Sequence, residues 1–393
     1  MIVACGKSDP GPAEHASRER STVEGNTAFA TNLYGRLAEQ PGNLCFSPYG
    51  ISSVLAMAYA GARGQTEREI ARTLQFNVGQ GELHSAFRVL SATIRSAQRQ
   101  AIKVDLANTL WCQTNQPLED TYGRLIRAEY GAAPCFADFR DVSASAAEIN
   151  TWFGERTNGR IKNLVNPGQI DPDTRLMLCS AVYFKGKWAV QFDRKATTPA
   201  LFFVRPEQTV TVPMMRLSSK FKTAQAADLA LLELPYTGKA LSMILLLPSD
   251  YGGLPGLERR FTLDNLQAWL QTLEHEKEQK IGILLPRLKI SQSFELSRTL
   301  EAMGMPSLFD KTDCDLSGMT ARNDLFVSSV AHQATIEVNE EGTEAAAATA
   351  VHVRTKSQLS TFRADHPFLY LIKENRTGSI LFLGRVVDPS KAQ

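Results

Sequence analysis

Nucleophiles, bases and metal-ligating side chains are all present in this 393-residue chain, but not at spacings that build a catalytic centre. A serine nucleophile raised on a strand-to-helix turn needs a GxSxG frame, and none occurs. His275 opens "HEKEQ", which lacks the second histidine that would complete a zinc pair on one helix face. Gly6-Lys7-Ser8 resembles the end of a phosphate-cradling loop, yet the glycine that should begin such a loop has no place. The six histidines sit far apart. The six cysteines, Cys5, Cys45, Cys112, Cys135, Cys179 and Cys314, form no CxxC, so neither a zinc site nor a disulfide framework follows. The expectation is a chain that is not an enzyme and takes no metal and no cofactor.

The unusual chemistry lies in residues 340–357, "EEGTEAAAATAVHVRTKS". Alanine is the best helix former, so a surface helix or a linker is the plain reading. Three features argue otherwise. Gly342 follows the strand-like "ATIEVNE" and suggests a pivot. The run then turns β-branched at Thr349, Val351, Val353 and Thr355. Taken as a strand, one face holds Thr343, Ala345, Ala347, Thr349, Val351 and Val353, all small or apolar. The other holds Glu344, Ala346, Ala348, Ala350, His352 and Arg354. One face suits burial and the other suits water.

The rest of the chain must position this ribbon. A hydrophobic content of 43% with 21% charge is that of a folded globular protein, and a net charge of +2 gives no argument for nucleic acid or a membrane surface. No apolar run approaches the roughly 18–20 residues that span a bilayer. Residues 1–25 are rich in Pro, Gly, Ser and charge and read as a disordered lead. Within it, Ile2-Val3-Ala4 before Cys5 looks like the end of a bacterial lipoprotein signal. Either the true start lies upstream and Cys5 carries lipid, or the match is chance. That start points to a bacterial protein placed outside the cytoplasm, secreted or lipid-anchored.

From Asn26 to the end the pattern is that of one domain, 26–393. "TAFATNLYGRLAEQ", "SPYGISSVLAMAYAGARG", "TEREIARTL", "GELHSAFRVLSATIRSAQRQ", "LEDTYGRLIRAEYG" and "SAAEINTWFGERTNGRI" read as helices, the second apolar almost all round and capped by Ser47. After the early strand "IKVDLANTLWCQ", the later segments from "RLMLCSAVYFKGKWAVQF" to "HPFLYLIKENRTGSILFLGRVV" are β-rich, interrupted by the helix "SFELSRTLEAMGM". Helices gather early and strands late, which is an α+β arrangement.

At this point the residues resemble a family. "EEGTEAAAATA" looks like the hinge of an inhibitory serpin. "NLCFSPYGISSVLAMAYAGARGQTEREI", "LANTLW", "VYFKGKW", "LPRLKI", "DLSGMT" and "HPFLYLIKENRTGSILFLGRVVDP" follow the family order from Asn26 to Pro389. The resemblance implies about nine helices packed on three β-sheets, with an exposed reactive-centre loop near 340–361. It also implies a monomeric suicide inhibitor of a serine protease. The hinge would be Glu340, Gly342, Thr343, Glu344, Ala345, Ala346, Ala347 and Ala348. Small side chains suit a strand that must pass between two others, and a charged Thr343 would leave an unpaired buried charge.

The resemblance also implies the bait bond: serpin spacing counted from Glu340 forward and from Pro367 back lands on Lys356-Ser357, with Arg354 as the runner-up bait residue. Lysine suits an acidic specificity pocket, as in trypsin-like proteases. The resemblance further groups Trp188, Arg287 and Glu340 at the head of the main sheet, with an Arg287–Glu340 ion pair beside Trp188. It groups Ser47, Ser180 and His332 beneath the opening strands. There the sequence departs from the pattern, with Ser180 where asparagine is usual and Gly50 where serine is common. Arg88, Arg95, Arg99 and Lys103 fall where some serpins bind sulfated polysaccharide, but so dispersed a set reads as a solvated face, and heparin-like binding is not expected. The alternatives are a non-inhibitory carrier or chaperone serpin, an inhibitor of a cysteine protease and, from another class, a hydrolase with an unrecognised site. Non-inhibitory members tend to carry bulkier or charged residues in the hinge, so the small Thr343 and the alanines behind it argue against the first.

Overall fold

The computed structural model describes residues 12–98, 101–322, 324–342 and 360–391. The first part of the chain is mainly helical: α1 (Pro12–Leu37), β1 (Leu44–Phe46), α2 (Pro48–Gly61), α3 (Gly64–Thr73) and α4 (Gln80–Ala97), then β2 (Ile102–Gln113), α5 (Asp120–Tyr130), β3 (Cys135–Ala137) and α6 (Val142–Arg156). A strand-rich half follows with β4 (Leu176–Gly186), β5 (Thr198–Arg205), β6 (Gln208–Phe221), β7 (Thr223–Ala226), β8 (Leu229–Pro235) and β9 (Leu241–Pro248). It closes with α7 (Leu254–Arg259), α8 (Leu263–His275), β10 (Gln279–Pro286), β11 (Leu288–Glu295), α9 (Ser297–Met303), β12 (Val327–Val338), β13 (Thr361–Arg363), β14 (Phe368–Glu374) and β15 (Ile380–Val386). The described residues thus carry nine α-helices on three sheets, the α+β arrangement that the segregated pattern implies.

The five-stranded main sheet has the order β11-β12-β4-β2-β3. Its central strand β4 is buried along nearly its whole length, which is why "LMLCSAVYF" reads as a continuous apolar run. The two-residue period then sorts its faces. Leu176, Leu178, Val182 and Phe184 face the main core, and Met177, Cys179, Ala181 and Tyr183 face a second core under α6, with Ile149 and Phe153. Below the main core side lies α2, buried at every position. Its Ser47 cap accepts from the Gly50 N–H at 3.1 Å, as the Ser-Pro start predicts.

Between β4 and β12 the pairing is parallel, from Val327 opposite Leu176 to Ile336 opposite Phe184, while β2 beside β4 and β11 beside β12 are antiparallel. The other sheets, β1-β15-β14-β9-β8-β7 and β13-β10-β6-β5, pack the apolar faces of the late strands.

The N-terminal lead corrects the sequence reading. Residues 12–25 belong to α1 instead of a disordered tail, with Thr22 and Val23 already buried. Polarity misleads here because the charges are used in pairing: Arg18 meets Glu82 of α4 at 2.7 Å, and Glu19 meets Arg376 at 2.7 Å. Gly25 is a packing residue, since a Cβ there would lie 2.2 Å from the Gln75 carbonyl oxygen. Two helices, α7 and α8, are additions to the sequence reading. Thr262 caps α8, whose Leu266, Trp269 and Leu273 are buried at helical spacing. Cys45, Cys112, Cys179 and Cys314 are buried and Cys135 half-buried. Burial pushes the Cys45, Cys112 and Cys314 thiols up to about 12, so these are inert core residues. Cys5 lies outside the described residues.

Candidate functional site

The site begins where β12 runs out. Asn339 and Gly342 form an antiparallel bridge, donating N–H to each other's carbonyls at 3.0 and 3.2 Å, so the chain reverses on Glu340 and Glu341. Main-chain bonds seat this turn. The Phe192 N–H donates to the Glu340 carbonyl at 2.8 Å and the Trp188 N–H to the Glu341 carbonyl at 2.9 Å. The Trp188 indole N–H donates to the Asn339 carbonyl at 3.0 Å, and its ring stacks on Tyr236 at 4.5 Å. Trp188 is held by the stack, and the turn is held by Trp188.

Gly342 differs from the sequence reading. Its φ is +109°, and a Cβ there would come within 2.0 Å of the Gly186 carbonyl oxygen and 2.6 Å of the Lys187 Cα. Glycine stands here because the backbone is wedged against β4 in a left-handed conformation, not because the chain swings freely. The rest of the predicted hinge, Thr343, Glu344, Ala345, Ala346, Ala347 and Ala348, and the bond Lys356-Ser357 lie outside the described residues.

Both turn acids are buried. Glu340 accepts from Arg287 Nε at 2.6 Å and from the Thr197 hydroxyl at 2.5 Å, next to Trp188. Burial opposes its charge, but the bonds from Arg287 and Thr197 outweigh that and hold its carboxyl below the usual range. The structure therefore brings Arg287, Glu340 and Trp188 together. Thr197 completes the group and escaped the sequence reading; no motif marks it. Glu341 meets Arg194 through one oxygen, while the other is buried with no hydrogen-bond partner among the described residues.

Lower on the same seam, His332 and Ser180 are register partners across β12 and β4. The Ser47 main-chain N–H donates to His332 Nε2 at 3.0 Å, so Nε2 is unprotonated and Nδ1 donates to Ser180 Oγ at 3.2 Å. The structure thus brings Ser47, Ser180 and His332 together. Gly50 completes the fit: a Cβ there would sit 2.8 Å from Ser180 Oγ and 2.8 Å from Val182. Asn108 of "LANTLW", opposite Ser180 on β2, donates to the Gly50 carbonyl at 3.0 Å. That residue lay in a quoted motif, but its inward direction needed the strand register. Complete burial depresses the His332 imidazole to about 3.

Arg88 pairs with Glu129 at 3.1 Å and Lys103 with Asp105 at 3.3 Å, Arg95 lies near the end of α4, and Arg99 lies outside the described residues. Among the described residues no cluster could hold a metal ion, and no helix is long and apolar enough to cross a membrane.

A wedged turn above a parallel seam, with three sheets and nine α-helices among the described residues, is the layout of a serpin. Residues 24–389 match the family described as Serpin (serine protease inhibitor), and the chain belongs to that family, one of inhibitors and not of catalysts. Within it, the chain is 39% identical to human leukocyte elastase inhibitor, covering 93% of this chain and 98% of the relative. It is 38% identical to human plasminogen activator inhibitor 2 at the same coverage. Uncleaved ovalbumin superposes with a TM-score of 0.87 at 30% identity, covering 94% of this chain and all of that one. Human thyroxine-binding globulin gives a TM-score of 0.87 at 29% identity, covering 95% of this chain and 99% of that one. These relatives also correct the expected location. Leukocyte elastase inhibitor and the serpin B proteins are intracellular serpins without signal peptides, which points away from a secreted or lipid-anchored chain. Being vertebrate proteins, they lend no support to a bacterial origin.

Two outcomes follow. The unfolded chain carries an ordinary imidazole at position 332 and binds a proton near pH ~6.5 that the folded chain refuses until about pH 3. This contribution to stability is therefore whole above ~6.5 and lost as pH falls between the two. The His332 ring signals in NMR are expected not to titrate from about pH 8 to about pH 5, and a titration midpoint near ~6.5 would refute the buried neutral ring. Gly342→Ala is expected to lower the melting temperature of the intact protein by several degrees. An unchanged melting curve would show that the wedge tolerates a side chain.

Proposed function

We propose that the chain is an irreversible suicide inhibitor of trypsin-like serine proteases, with Lys356-Ser357 as its bait bond. The observation that carries this reading is the Asn339–Gly342 turn at the head of the parallel β4–β12 seam. A chain leaving β12 through that turn heads back antiparallel to β12. Because β4 is parallel to β12, a segment entering between them is antiparallel to both. One parallel ladder is then replaced by two antiparallel ones, which pair better per residue. Insertion along roughly a dozen residues, at about 0.5–1.5 kcal/mol per added hydrogen bond, is worth on the order of 10 kcal/mol.

The chemistry belongs to the protease. Its serine oxygen adds to the Lys356 carbonyl, the scissile bond breaks, and the Ser357 amine leaves with the transferred proton, giving an acyl-enzyme. Thr343 and the alanines behind it then enter the seam. If entry outruns hydrolysis of the ester, the protease is carried along and trapped; otherwise the inhibitor is only a cleaved substrate. The names of two relatives, leukocyte elastase inhibitor and plasminogen activator inhibitor 2, support inhibition as the activity. The target class rests on Lys356: an elastase pocket is small and apolar, whereas a lysine needs the acidic pocket of a trypsin-like enzyme.

Incubation with trypsin is expected to give a band at the summed mass on denaturing electrophoresis that survives boiling. Thr343→Arg is expected to yield cleaved inhibitor without that band. Lys356→Ala is expected to slow the reaction with trypsin by at least ~100-fold, since the acidic pocket is left unpaired. If both variants trap trypsin as fast as the parent, hinge and bait are misplaced.

A further inference from the structure

The two turn acids are not held alike. Glu340 has a cation and a hydroxyl, Arg287 and Thr197, whereas Glu341 has one charged partner through one oxygen. Arg194 reaches Glu341 from a short turn, Arg194–Ala196, which Asp193 caps by accepting the Lys195 N–H at 2.9 Å. Thr197 follows directly, so one segment touches both acids. Arg194 is itself 63% exposed, while the Glu341 side chain is 7% exposed. An exposed arginine is therefore the counter-charge of a buried carboxylate, and its loss leaves that carboxylate with none among the described residues.

We propose that Arg194 is a second positioning residue of the hinge, setting how long the uncleaved loop stays out of the seam. This deepens the inhibitory reading and rests on it. The Glu341 carboxylate is buried while the turn is seated against Trp188 and Phe192, and the main-chain bonds from those residues are the ones that entry of the chain behind Gly342 must strain or release. Arg194 thus stabilises the seated turn and leaves the inserted form nearly untouched. Removing it lifts the seated state alone. Its effect should exceed that of removing Arg287, because Glu340 retains the Thr197 hydroxyl.

The test follows inhibitory activity of the intact protein over time at 37 °C, together with melting of intact and of loop-cleaved protein. Arg194→Gln is expected to hasten spontaneous loss of activity by on the order of tenfold, the size of one lost charge-assisted hydrogen bond. It should lower melting of the intact form and leave the cleaved form unchanged. Arg194→Lys is expected to restore most of the lifetime. In a Glu341→Gln background, Arg194→Gln is expected to have little further effect, because the pair is already gone. Equal melting shifts in intact and cleaved protein would assign Arg194 to general fold stability and overturn the proposal, as would a lifetime equal to the parent's. A parent whose melting does not rise on cleavage would instead overturn the inhibitory reading, and this proposal with it.

Discussion

The seam between β4 and β12 is a parallel ladder bounded on each side by antiparallel ones. Each strand is buried over most of its length, so the two cannot part for less than a replacement set of main-chain bonds. On the proposed inhibitory reading, a third strand running the opposite way would supply that set twice over. On that proposed reading, the native arrangement is one in which the best pairing of the main sheet has yet to be made, and what keeps it unmade is local. The turn sits at the head of the seam, and lower down His332 reaches across to Ser180 while accepting from the cap of α2. Opening the seam breaks the His332–Ser180 contact directly, and through Ser47 it disturbs the helix beneath.

Legibility in the sequence followed the physics of each element. The apolar run of β4 and the almost wholly apolar α2 announced themselves because burial on all sides removes any need for a polar face. Arg287, Glu340 and Trp188 were legible because three separate motifs carry them. The start of α1 was not, since its polar side chains read as disorder until Glu82 and Arg376 stand opposite them. Thr197 and Arg194 were not legible either. They lie on a short connection whose composition is ordinary, and only the path of the chain brings them to the turn.

Ser180 and Gly50 show how a departure from a family pattern can be self-consistent. A side chain at position 50 would collide with the Ser180 hydroxyl, so the small residue permits the contact with His332. Asn108 fills the polar role from the neighbouring strand, satisfying the Gly50 carbonyl.

The jammed fit at Gly342 bears on timing. Main-chain bonds from Trp188 and Phe192, three contacts of the two carboxylates and a backbone pressed on backbone all belong to four consecutive residues, so they hold one seat together. Departure from such a seat is a single rare event and not a gradual drift. In the proposed race against ester hydrolysis, such a single-step escape would have one characteristic waiting time. The split between captured enzyme and wasted inhibitor then becomes a ratio of two rate constants, which any change at this seat would rescale as a whole.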